Sequence, residues 1–80
     1  MYEVWVIEMP KQELHTLERI FRKNDRTATD KMIFDRAGKV AKGEATLLRA
    51  FHEEEVADRL AAEVMVHGGK AEVRAAEKKE

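Results

Sequence analysis

Cysteine is absent. That excludes a disulfide framework and any thiolate metal site. Neither sign of charge dominates, since 15 basic residues stand against 16 acidic ones for a net charge of −1. A protein held to nucleic acid mainly by bulk charge carries a basic surplus, and this chain has none. No apolar run approaches the roughly 20 residues needed to span a bilayer. The first residues, Met1-Tyr2-Glu3-Val4, lack the basic segment of a secretory leader, and Glu3 and Glu8 interrupt the apolar run there. A soluble cytoplasmic protein without membrane contact is therefore expected. Phosphate-loop and serine-hydrolase motifs are missing. Acids are plentiful, but no two are paired in the apolar setting that acid–base catalysis needs. His15, His52 and His67 show no metal-ligand spacing. The expectation is a protein that is not an enzyme and uses no cofactor or metal.

What is present is a chain of 80 residues, the size of one domain with one modest core. Tyr2 to Met9 is rich in β-branched and aromatic residues and reads as a strand. Tyr2, Val4 and Val6 face one side of it, Glu3, Trp5 and Ile7 the other. Pro10, the only proline, ends it. Leu14, Leu17, Ile20 and Phe21 recur at helical spacing, with Arg22 and Lys23 at the end where the helix dipole favours cations. Met32, Ile33 and Phe34 read as a second strand. Asp35 to Lys39 supplies turn chemistry, with Gly38 able to take a positive φ, and the chain returns through Ala45 to Leu48 as a third strand. Glu53, Glu54 and Glu55 open a second helix with an apolar stripe of Val56, Ala57, Leu60, Ala61 and Val64. Gly68-Gly69 stops it, and Lys70 to Ala75 alternates as a last strand. Residues 1–76 are expected as a single α+β domain and 77–80 as a polar tail.

The order strand, helix, strand, strand, helix, strand predicts a ferredoxin-like sandwich. In it a four-stranded antiparallel sheet carries both helices on one face and leaves the other face open. One other order competes. Thr29 can cap a helix over 32–42, with Ile33, Ala37, Val40 and Ala41 inward and Gly43 at its end. The chain then reads strand, helix, helix, strand, helix, strand. Gly38 inside a helix costs about 1 kcal/mol against Ala, and the turn chemistry around it suits a hairpin, so the first order is preferred.

Within the first order the chain resembles the RNA-recognition motif family along nearly its whole length. Val4-Trp5-Val6-Ile7-Glu8-Met9-Pro10 looks like the family's first-strand hexamer, and Lys42-Gly43-Glu44-Ala45-Thr46-Leu47-Leu48-Arg49 falls on its octamer. Lys42, Gly43, Ala45 and Leu47 agree with that octamer. Glu44, Thr46 and Arg49 stand at its three aromatic positions. The family stacks bases on those aromatics, and each stacked base is worth roughly 1–3 kcal/mol. Only Trp5 occupies such a position here, so the resemblance implies the family's fold with most of its base-stacking surface lost. The competing order resembles the C-terminal domain of ribosomal stalk proteins and the adaptor that brings N-degron substrates to the Clp protease. Similarity to that adaptor covers 17–32 and 51–60, without its acidic loop or its binding histidine.

These readings converge on a small non-catalytic binding module. Its partner is expected to be another protein or a second copy of the chain, met by an apolar patch of Trp5, Ile7, Thr46 and Leu48 on the open sheet face. The alternative is weak binding of single-stranded RNA or DNA, with Trp5 stacking a base and Arg36, Lys39, Lys42 and Arg74 meeting phosphates.

Overall fold

The structure, a computed structural model, describes residues 1–76. The polar tail expected over 77–80 lies outside the described residues. Strand β1 (Tyr2–Glu8) leads through a short 3-10 turn (Lys11–Glu13) into helix α1 (Leu14–Asn24). Helix α2 (Asp30–Ala41), strand β2 (Thr46–Phe51), helix α3 (Glu54–Val66) and strand β3 (Lys70–Ala75) follow. The strands form one antiparallel sheet in the order β2-β1-β3.

This corrects the four-stranded ferredoxin-like arrangement. Met32, Ile33 and Phe34 are not a strand and Asp35 to Lys39 is not a turn, because all of them lie within α2. The element order is the strand-helix-helix-strand-helix-strand alternative. Thr29 caps α2, its side chain accepting from the Met32 backbone N–H at 3.2 Å. Ile33, Ala37 and Val40, spaced one helical face apart, are buried against α1 and the sheet. Burying an Ile or a Val contributes roughly 1.5–3 kcal/mol each, which outweighs the ~1 kcal/mol cost of Gly38 within the helix. Ala41, the fourth residue of the expected inner face, is exposed. The octamer stretch is correspondingly divided. Lys42 to Ala45 leaves α2 through a turn with Gly43 at φ 85°, and only Thr46 onward is strand.

The other elements follow from their own periodicity. Val4 and Val6 of β1 are fully buried. They form one cluster with Leu17, Ile20 and Phe21 of α1, the inner face of α2, Leu48 of β2, and Ala57, Leu60, Ala61 and Val64 of α3. The opposite side of the sheet, carrying Glu3, Trp5, Leu47, Glu72 and Arg74, contributes nothing to that cluster. At the end of α3, Gly68 takes φ 85° and Gly69 lies against the end of β1. A Cβ at Gly69 would meet Met9 Sδ at 2.6 Å, Val64 Cγ1 at 2.8 Å and the Glu8 carbonyl oxygen at 2.9 Å, so the turn admits no side chain there.

The sheet carries two irregularities. Trp5 pairs with Leu47 and Val4 with Arg49, which leaves Leu48 as an extra residue on β2. Val6 pairs with Ala71 and Glu8 with Lys70, which leaves Ile7 as an extra residue on β1. Bulges of this kind bend the strand and re-aim the neighbouring side chains.

Candidate functional site

The ladder decides which residues share a face. Thr46 lies opposite Val6, and cross-strand partners in an antiparallel pair share a face. Thr46 is therefore drawn to the helical side, where it is only 8% exposed, and Leu48 beside it is 5% exposed. The apolar patch expected on the open face is corrected accordingly. Thr46 and Leu48 belong to the interior, and the β2 residue that shares Trp5's face is Leu47, 40% exposed. Ile7 stays half-buried at its bulge.

Trp5 is itself half-buried. Its indole Nε1–H donates to Glu3 Oε1 at 3.2 Å. The Arg74 guanidinium lies 4.7 Å from the ring centroid and is held there by an ion pair with Glu72. A cation over an indole face at an exposed site contributes roughly 0.5–1 kcal/mol. Arg74 thus covers a ring face that the nucleic-acid reading needs for a base.

Beside β2 the surface opens into a groove of 510 Å3. Asn24 and Asp25 at the end of α1 line it, with Arg36 and Lys39 of α2, residues 45–49 of the β2 segment, and Trp5. Five expected site residues therefore meet here: Trp5, Thr46, Leu48, Arg36 and Lys39. Ile7, Lys42 and Arg74 do not line it, and Lys42 is exposed at the end of α2.

One wall is held by a network centred on Asp25. Its Oδ1 accepts from the Thr27 backbone N–H at 3.2 Å and from Thr27 Oγ1 at 2.8 Å. Its Oδ2 accepts from Arg36 Nη1 at 3.1 Å. Those hydrogen bonds, Thr27's first and Arg36's next, hold the Asp25 carboxyl below the usual carboxylate range. Asp25 thereby ties the α1–α2 loop to α2 and neutralises Arg36, while Lys39 and Arg49 have no ion-pair partner among the described residues. The Arg49 guanidinium lies 5.1 Å from the Phe51 ring centroid.

Asn24, Asp25, Leu47 and Arg49 line the groove but were not expected as site residues. For Asp25 the available signal is its hydroxyl neighbour Thr27, two residues on, the spacing at which an aspartate closes a local turn. Its partner Arg36 is 11 residues away and reaches it only because α1 and α2 form a hairpin.

A second hollow, of 370 Å3, lies between Glu8 to Lys11, the end of α2 and the Gly43 and Gly68 turns. Glu8, its one carboxylate among the described residues, is paired with Lys70 at 3.5 Å. Among the described residues, no three His, Asp or Glu side chains cluster so as to hold a metal ion, and no helix is long and apolar enough to cross a membrane. Comparison of the chain with protein-family models, with curated proteins and with solved structures finds no match.

Proposed function

We propose that this chain is a non-catalytic protein-binding module that receives its partner along the β2 side of the sheet. The observation that carries this reading is the meeting, beside a strand that among the described residues pairs on one side only, of an open 510 Å3 groove with exposed Leu47 and the cations Lys39 and Arg49. A terminal strand presents a row of unpaired backbone N–H and C=O groups, a template for another polypeptide. Clefts of about 300–1,000 Å3 are the size that small ligands and side chains enter. Nucleic-acid binding is the less supported reading, because Arg74 lies over Trp5, the one aromatic residue lining the groove.

The test is to pan a library of short random peptides on the immobilised chain and to titrate labelled single-stranded RNA and DNA pools in parallel at low and moderate salt. Enriched peptide sequences without salt-sensitive nucleic-acid binding support the reading. Nucleic-acid binding that weakens steeply with salt and quenches Trp5, with no peptide enriched, overturns it.

A further inference from the structure

We propose that β2 takes an extended acidic peptide as a fourth strand, its backbone pairing with the free edge of β2 and its carboxylates meeting Lys39 and Arg49. This rests on the protein-binding reading above and names the partner's conformation and charge.

The conformation follows from the sheet. Among the described residues β2 pairs with β1 alone, so alternate residues of β2 direct their N–H and C=O groups away from the sheet. An added peptide strand satisfies those groups and sets its alternate side chains toward the groove, the recognition mode of strand addition. A phosphodiester backbone offers neither N–H nor C=O in that pattern. The bulge at Leu48 breaks the edge into two short runs, which limits the added strand to a few paired residues and guards against open-ended stacking.

The charge follows from the walls. Although the whole chain is close to neutral at −1, among the described residues the groove carries three cations, Arg36, Lys39 and Arg49, against a single carboxylate, Asp25. Asp25 is already committed to Thr27 and Arg36, so the local surplus rests on Lys39 and Arg49. Two like charges beside an open edge repel a second copy of the same edge, because antiparallel pairing of β2 with β2 brings cation toward cation. Edge cations are a common device against self-pairing. The same charges favour an acidic strand and raise its rate of encounter.

The experiment sequences the enriched peptides and maps the bound complex by hydrogen exchange on the full chain. Expected are peptides rich in Asp and Glu, poor in Pro, that slow exchange at backbone amides of residues 46–51. The doubly reversed variant K39E/R49E alters two exposed side chains. It should weaken an enriched acidic peptide by at least about tenfold, as two surface ion pairs are turned into repulsions, and should shift enrichment toward Lys and Arg. The milder K39A/R49A weakens binding without that shift, and a thermal melt of each variant checks that it is folded. Neutral or basic peptides, an unchanged affinity in folded K39E/R49E, or protection confined to β3 or the helices would overturn strand addition while leaving protein binding intact. No enrichment of any peptide would overturn both. A dimer protected over 46–51 in the absence of peptide would replace the acidic partner with a second copy.

Discussion

Gly38 offers a direct test of why residues 30–41 form a helix. It lies within α2, three residues before the last helical residue, with a helical, negative φ, and nothing lies within 4 Å of where its Cβ would be. Replacing it with Ala therefore adds no clash. The gain comes from the entropy of the unfolded chain, which loses the freedom of a glycine, and is about 0.5–1 kcal/mol. For a domain of this size 1 kcal/mol corresponds to about 4–8 °C in Tm, so Gly38→Ala should raise Tm by about 2–8 °C. The denaturant midpoint should rise with an unchanged slope. Gly43 supplies the contrast. A Cβ there also meets nothing within 4 Å, but its φ is 85°. Ala at that φ costs roughly 1–2 kcal/mol, so Gly43→Ala should lower Tm. The two substitutions thus differ in backbone conformation and not in available space. The assay is thermal and urea unfolding of the three proteins followed by circular dichroism. If Gly38 instead occupied a hairpin turn at positive φ, both variants would be destabilised, and a fall in Tm for Gly38→Ala refutes the helix.

Further predictions concern the two supports of the groove and the turn after α3. Gly69→Ala forces a methyl against Met9, Val64 and the Glu8 carbonyl and should cost about 1–3 kcal/mol as overpacking, seen as a lower urea midpoint. The Asp25 carboxyl is held below its ordinary range by Thr27 and Arg36. Its stabilising contribution is therefore present above the unfolded value of about 4 and is lost as pH falls below it. Asp25→Asn should flatten the acid limb of a stability-against-pH curve below about pH 4, and an unchanged limb would show that Asp25 does not tie the loop to α2. Arg74→Ala removes the guanidinium over Trp5. The expected outcome is red-shifted Trp5 emission and stronger acrylamide quenching, and identical spectra would contradict the cover.

Much of the fold was legible because three elements carry complete local patterns. β1 alternates across two faces and ends at Pro10. α1 and α3 place their apolar residues at helical spacing, and Gly68-Gly69 stops α3 where the chain must pass close to β1. The candidate site was legible only in part. Trp5, Arg36 and Lys39 stood out as an aromatic and two cations, and they do line the groove. Thr46 and Leu48 line it too, but from the interior side, because the face of a strand residue depends on register and a one-residue shift inverts it. Register is a property of two strands, and nothing within β2 alone specifies that Thr46 faces Val6. Asp25, which organises one wall, needs a partner from another helix before its role exists.

The sequence by itself determined an α+β domain, the inward faces of β1, α1 and α3, and the stop after α3, since these follow from periodicity and from residues with restricted backbones. Tertiary structure decided the state of 30–41. Ile33, Ala37 and Val40 can be read along a helix, while Asp35 to Lys39 can be read as a turn, and the local difference is about the ~1 kcal/mol cost of Gly38. Three apolar side chains buried against α1 and the sheet outweigh that cost. Such burial exists only once α1 and β1 are in place, so no local window of the sequence contains it.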